Sequence, residues 1–144
     1  MDKLDQDIMT LLAGDARMSV AVMARRLRVA RSTVQARLER LETNGTIAGY
    51  TLRLGEAVRQ GRIRATVLLS VEPRAQAAVL TRLRALAMVE RAHTTSGRFD
   101  MLLQLAAQTT AELDQLLDMI GEIPGVKSSE SLIHLSTRID RALL

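Results

Sequence analysis

The sequence predicts an α+β fold in two parts, a small helical domain followed by a larger βαββαβ domain. Two observations lead to this prediction. Up to about residue 44, apolar residues repeat at helical spacing. From residue 63 onward, segments in which every second residue is apolar, as in a strand, are interspersed with segments of helical spacing. The charge divides at the same place, since residues 1–62 hold 11 basic and 7 acidic residues and residues 63–144 hold 9 of each. All of the net charge of +4 therefore belongs to the first part.

The first part reads as three helices and a wing, over residues 1–52. The first helix ends near Gly14, Ser19 can cap the second, and the third runs from about Ala30 to Asn44. Residues 28–30 alone separate the second helix from the third, which is typical of a helix-turn-helix, here about residues 20–39. After Gly45, residues 46–52 are predicted to form short extended segments bent at Gly49, where a wing would lie.

The third helix predicts a DNA-reading surface. Val34, Leu38 and Leu41 form its buried stripe at about 100° per residue. Short polar side chains face away from that stripe and suit base edges, while arginines at its borders suit phosphates. A plain solvated helix is the alternative, but it leaves the basic flanks and the tight turn unexplained. The predicted DNA-binding residues are Arg28, Arg31, Ser32, Thr33, Gln35, Ala36, Arg37, Glu39 and Arg40.

The second part, residues 63–144, follows a predicted linker at residues 53–62. Alternation from Ile63 to Val71 marks a half-buried strand, and the later segments complete the order βαββαβ, a ferredoxin-like unit. We expect both helices to cover one sheet face. The other face carries a mixed set of side chains from the first strand, which suits pairing of two subunits: Arg64, Thr66, Leu68 and Ser70.

Composition excludes several classes of function. The chain has no Cys and two His, so thiol catalysis and the usual zinc sites are excluded, and we expect no metal, no cofactor and no catalytic residue. Tyr50 and Phe99 are its only aromatic residues, too few for a base-stacking sheet. No apolar run has the length of a membrane span, and the N-terminus does not resemble a signal peptide. We therefore expect a cytoplasmic protein without membrane contact.

Specific motifs resemble the Lrp/AsnC family of feast/famine regulators over nearly the whole chain. They lie at residues 4–8 (LDQDI), 30–34 (ARSTV), 37–50 (RLERLETNGTIAGY), 96–100 (SGRFD) and 124–126 (PGV). The resemblance implies a winged helix-turn-helix domain, a ferredoxin-like ligand-sensing (RAM) domain, and dimers that often assemble into octamers. It also implies a small effector, usually an amino acid, at the turn formed by Thr95, Ser96, Gly97, Arg98, Phe99 and Asp100.

Three positions depart from the family pattern. Arg28 stands where the family usually has Gly, and Ala30 stands where Ser or Thr often caps the recognition helix. Arg98 replaces an acid in the sensing turn, which changes the local charge by two units and leaves the effector's identity open. At this turn, Asp100 is a candidate acceptor for a ligand ammonium, Phe99 a wall for an apolar side chain, and Arg98 a partner for a carboxylate or a salt bridge between dimers.

Three functions are weighed on this sequence. The favoured one is a transcriptional regulator that binds double-stranded DNA and responds to an amino acid or related molecule. The alternative is a siroheme decarboxylase, an enzyme class that resembles this architecture but has lost the DNA-binding role. The basic borders of the recognition helix and the zero net charge of the second part favour the regulator. A third possibility, a stand-alone effector module, does not fit the intact N-terminal part. The sequence leaves open whether the sensing turn binds a ligand or is purely structural.

Overall fold

A computed structural model describes residues 1–59 and 61–140 of the chain. The predicted linker includes Gln60 and the predicted second domain extends to residues 141–144, and these five residues lie outside the described part. The chain divides into two compact units, one containing Met1–Arg53 and the other Leu54–Arg138.

The first unit is a bundle of three helices, α1 (Lys3–Gly14), α2 (Val20–Leu27) and α3 (Arg31–Thr43). Their apolar stripes meet in a core of six buried residues: Ile8, Leu12, Met23, Ala24, Val34 and Leu41. Ser19 caps α2, because its hydroxyl accepts a hydrogen bond from the N–H of Val22 at 3.2 Å. The predicted helix-turn-helix is confirmed.

The turn between α2 and α3 is conformationally demanding. Arg28 lies in the left-handed region at φ 57° and ψ 43°, and it is the only non-glycine with a positive φ among the described residues. Glycine adopts this conformation without the steric cost that a side chain brings. Ala30 occupies the N-cap of α3 and offers no side-chain hydrogen bond, and the helix still begins at Arg31. Both departures from the family pattern therefore fall at backbone positions where they reduce stability.

Residues 46–52 were expected to form a wing of short extended segments, and they form no strand pair within the described part of the chain. Residues 46–55 contain no β-strand. Gly45 turns the chain at φ 79°, and the N–H of Ile47 then donates to the carbonyl of Leu41 at 2.9 Å. Further along, the Tyr50 hydroxyl donates to Glu42 at 2.9 Å. The segment is thus bonded back onto α3 at Ile47 and Tyr50.

The second unit is a four-stranded antiparallel sheet with helices on one face, in the order β2-β3-β1-β4. The predicted linker contains a one-turn helix, α4 (Glu56–Arg59). The remaining elements are β1 (Ile63–Val71), a 3-10 turn (Pro73–Ala75), α5 (Gln76–Arg84), β2 (Val89–Thr94), β3 (Met101–Ala107), α6 (Thr110–Gly121) and β4 (Val126–Ile133). The predicted α+β architecture with its βαββαβ order is confirmed.

The core of this unit lies between the sheet and its two helices. Alternate residues of β1 are fully buried, and α5 and α6 pack their apolar stripes against them. Gly125, just before β4, lets the backbone pack closely against Ala75, because a Cβ at this position would stand 2.2 Å from the Cβ of Ala75. Its carbonyl also accepts a hydrogen bond from the N–H of Glu72 at 2.8 Å. The Pro124-Gly125 motif therefore joins the end of α6 to the start of α5.

The opposite sheet face is only half-buried. Strand register places Leu68 between Leu102 and Glu130, and Thr66 between Gln104 and Leu132. Leu132 is 48% exposed. This open face thus offers leucines framed by polar side chains.

Candidate DNA interface and effector loop

The outward face of α3 holds the predicted base-reading residues together. Ser32, Gln35, Ala36 and Glu39 are exposed, and Thr33 is half-buried. The side-chain amide of Gln35 donates to the carboxylate of Glu39 at 2.9 Å. These two side chains are four residues apart and share one helix face, so they can act as one hydrogen-bonding unit.

Arginines beside this face form an unpaired basic border. The side chains of Arg28 and Arg31 are exposed and make no ion pair or hydrogen bond within the described residues. Arg25 and Arg26, in the last turn of α2, are exposed and unpaired in the same way. Sequence reasoning omitted them from the site. The sequence did hold a clue to them. Arg25 and Arg26 are adjacent basic residues on α2, and the first helix of a helix-turn-helix crosses the DNA backbone.

Arg37 and Arg40 differ from the other predicted DNA-binding arginines, because both are ion-paired to α1. Arg37 contacts the carboxylates of Asp2 and Asp5, and Arg40 contacts Asp5 at 2.6 Å. The hydrogen bond with Arg37 lowers the pKa of Asp2, and the same bond raises the pKa of Arg37. Asp2 and Asp5 also cap α1 reciprocally. The Asp-x-x-Asp spacing could have revealed the cap, but nothing in the sequence identifies its arginine partners.

The predicted effector residues lie together in the loop between β2 and β3, which is closed by its own hydrogen bonds. The Thr95 hydroxyl donates to the Phe99 carbonyl at 2.7 Å, and the Thr95 N–H donates to the Asp100 carbonyl at 3.0 Å. Gly97, next to the exposed Ser96, has φ 99°, and no atom lies within 4 Å of where its Cβ would be. The turn therefore needs the conformational freedom of glycine and leaves its backbone accessible.

Two side chains of the loop form a cation–π pair. The Arg98 guanidinium lies 5.5 Å from the centroid of the Phe99 ring, within the range of this interaction. Phe99 is half-buried and Arg98 is exposed. This pair presents a positive group above an apolar surface, which suits a carboxylate with an apolar side chain.

Taken together, the fold and these surfaces define a helix-turn-helix protein with a second, ferredoxin-like domain. Family models agree with this class. The AsnC-type helix-turn-helix domain matches residues 1–42, and the Lrp/AsnC ligand binding domain matches residues 64–144.

Relatives and solved structures match over nearly the full chain. A helix-turn-helix transcriptional regulator of Pyrococcus furiosus is 32% identical, with 96% of this chain and 94% of the relative covered. The regulator FL11 of Pyrococcus horikoshii is 26% identical, with 95% and 91% covered. The structure of AsnC from Escherichia coli superposes with a TM-score of 0.89 at 24% identity, covering 99% and 97%. A Neisseria meningitidis regulator in complex with L-Met gives 0.90 at 22% identity, covering 100% and 96%.

The chain belongs to the Lrp/AsnC family. It is a transcriptional regulator with a DNA-binding helix-turn-helix and a ligand-binding domain, and not an enzyme, because its relatives are regulators. The siroheme decarboxylase alternative gains no support from them. Among the described residues, no helix has the length and hydropathy needed to cross a lipid bilayer.

Proposed function

We propose that this regulator binds double-stranded DNA sequence-specifically through α3, dimerises through its second domain and responds to an amino acid or a related molecule. The observation that carries the proposal is the exposed polar face of α3 beside four unpaired arginines. Fluorescence anisotropy with labelled duplex DNA tests it. Affinity should fall steeply as salt rises, and an absence of binding at low salt contradicts the proposal.

Base reading is assigned to the outward face of α3. Ser32, Thr33, Gln35, Ala36 and Glu39 lie where the recognition helix of this motif meets base edges in the major groove. Gln35 suits adenine, which it can bind with two hydrogen bonds, and the methyl group of Ala36 suits thymine. Gln35→Ala should change the preferred sequence, whereas Arg28→Ala should weaken binding to all sequences alike.

Phosphate contacts are assigned first to the unpaired arginines, Arg25, Arg26, Arg28 and Arg31. Arg37 and Arg40 belong to the same predicted surface but are ion-paired to Asp2 and Asp5. The proposed boundaries are a DNA-binding domain at residues 1–52, a linker at 53–62 and a sensing domain at 63–144. Since chromosomal DNA is the proposed target, the proposed location is the cytoplasm.

Dimerisation is assigned to the open sheet face. Leu68, Leu102 and Leu132 give that face an apolar centre, and polar side chains surround it. Covering it with a second copy would remove these leucines from water. Light scattering should show a dimer or a larger even assembly such as an octamer, and a monomer at micromolar concentration contradicts this assignment.

The effector is assigned to the loop at residues 95–100. Arg98 can bind a carboxylate, Phe99 an apolar side chain, and the backbone at Gly97 is accessible. The Neisseria meningitidis structure with L-Met supports an amino acid as the ligand class. Calorimetry with a panel of amino acids should give heat that Gly97→Val and Arg98→Gln abolish. Unchanged binding in both variants would place the pocket elsewhere, and no heat from any amino acid would favour a purely structural loop.

A further inference from the structure

Asp5 is the one polar residue in the described part of the chain that is fully buried. Its carboxylate accepts hydrogen bonds from Arg37 at 3.2 Å, from Arg40 at 2.6 Å and from the backbone N–H of Asp2 at 3.2 Å. A buried carboxylate without such partners is strongly unfavourable, so both arginines are required by the protein itself. Together with Asp2 they form what we call the α1–α3 cluster: Asp2, Asp5, Arg37 and Arg40.

The cluster is electrically neutral, since it combines two acids and two bases. Arg37 is the more enclosed arginine, with 28% of its side chain exposed against 53% for Arg40. For either guanidinium to bind a DNA phosphate, it would have to share or leave a carboxylate that it already contacts. The cluster therefore contributes little to attraction for a polyanion, in contrast to the unpaired Arg25, Arg26, Arg28 and Arg31.

The position of the cluster on α3 gives it a different role. At about 100° per residue, Arg37 and Arg40 project from one flank of the helix, whereas Arg31 and Gln35 project from the other. Val34 and Leu41 fix how deeply α3 is buried, but apolar contacts alone tolerate small rotations of a helix. Ion pairs from one flank to α1 fix its rotation, and with it the direction in which Ser32, Gln35 and Ala36 project.

We propose that Asp5 is a positioning residue for the recognition helix, and that Arg37 and Arg40 bind Asp2 and Asp5 rather than DNA phosphates. This proposal rests on the proposed DNA-binding function. It replaces a phosphate role for two of the predicted DNA-binding residues with an orienting role. It also assigns a function to the acidic pair that contacts Arg37 and Arg40 of α3.

The salt dependence of DNA binding tests the phosphate part of the proposal. Affinity for a labelled duplex is measured over a range of salt concentrations for the wild type, Arg40→Gln and the matched control Arg31→Gln. Loss of one phosphate contact lowers the log–log slope by about 0.9. We expect that loss in Arg31→Gln, and we expect a slope close to that of the wild type in Arg40→Gln. An equal loss of slope in Arg40→Gln overturns the proposal.

Sequence discrimination tests the positioning part. Asp5→Asn removes a negative charge near DNA, so simple electrostatics predicts tighter binding without loss of preference. We expect the ratio of affinities for a selected duplex and a random duplex to fall about tenfold, comparable to one lost base contact. Unchanged discrimination in a folded Asp5→Asn variant overturns the proposal, as does increased discrimination.

A double-mutant cycle separates this proposal from the DNA-binding function itself. Thermal unfolding is followed by circular dichroism, without DNA, for Asp5→Asn, Arg40→Gln and the double variant. If the two residues are direct partners, the double variant unfolds at a temperature well above that expected from adding the single effects. Additive effects would show that Asp5 and Arg40 do not interact, and this overturns the proposal even if the wild type binds DNA. If the cycle shows coupling but the wild type does not bind DNA, the proposed function is wrong, and the positioning role fails with it.

Discussion

The carboxylate of Asp100 accepts a hydrogen bond from the backbone N–H of Val71 at 2.7 Å. The N–H of Asp100 in turn donates to the carbonyl of Leu69 at 2.8 Å. Asp100 therefore joins the loop at residues 95–100 to the end of β1, the strand that pairs with both β3 and β4. Asp100 thus has two candidate roles. The sequence predicts that it accepts a hydrogen bond from a ligand ammonium, and the structure shows that it holds the loop to β1.

Substitution of Asp100 distinguishes the two roles. Asp100→Ala leaves the buried Val71 N–H without its partner, so the free energy of unfolding should fall by about 1–3 kcal/mol. Asp100→Asn keeps an oxygen acceptor and should cost less. Urea denaturation measures both. Should Asp100→Ala unfold as the wild type does, the bond to Val71 is unimportant and the carboxylate is available to a ligand.

Arg28 combines a conformational cost with a useful charge, and two substitutions separate these contributions. Arg28→Gly removes the side chain from the left-handed region and should raise the free energy of unfolding by roughly 0.5–1 kcal/mol. Arg28→Ala loses the same charge but keeps the steric cost, so its stability should stay near that of the wild type. Both should lose about 0.9 of the salt-dependence slope in DNA binding. Equal stability of the two variants would show that the turn is unstrained.

Gly125 is needed because of its contact with Ala75. Gly125→Ala combines a positive φ with a Cβ that would lie 2.2 Å from the Cβ of Ala75. Its free energy of unfolding should fall by about 2–5 kcal/mol. Gly14→Ala is the matched control, because nothing lies within 4 Å of its Cβ position. Adding Ala75→Gly should recover part of the loss, and strictly additive effects would argue against the contact.

Tyr50 reports on the segment after α3 and is the only tyrosine in the chain. Burial raises the pKa of its hydroxyl, and the hydrogen bond to Glu42 adds to the effect. Glu42→Gln removes the negative charge, so the pKa of Tyr50 should move down toward its ordinary value of about 10. Absorbance of the tyrosinate during an alkaline titration measures this. A pKa that does not move would mean that residues 46–50 are not held against α3 in solution.

Periodicity accounts for most of the fold that could be predicted from the sequence. Helical spacing located α1, α2 and α3, and alternation located β1, because each of these elements has one face buried and one exposed. The wing was predicted from local turn residues, and these residues gave no sign that the N–H of Ile47 would bond back to Leu41 at the end of α3. Local signals cannot show which distant backbone a segment will meet.

The candidate site was predictable in outline but not in its electrostatics. Arginines at the borders of the apolar stripe and short polar residues between them led to α3 as the predicted surface for DNA. The pairing of Arg37 with Asp2 and Asp5, and of Arg40 with Asp5, depends on contacts across 32 to 35 positions of the chain, and no spacing rule reveals them. Charge counts treat all arginines alike, whereas packing separates those that are paired from those that are not.

Selection from a library of randomised duplex DNA tests the central claim most directly, namely that α3 reads sequence in a symmetric protein. The bound fraction should be enriched in a roughly palindromic sequence, with half-sites one helical turn apart or a multiple of it. A parallel selection with the folded Gln35→Ala variant should return the same spacing and an altered base preference. Binding without any enriched sequence, or an identical preference in the variant, would contradict the account.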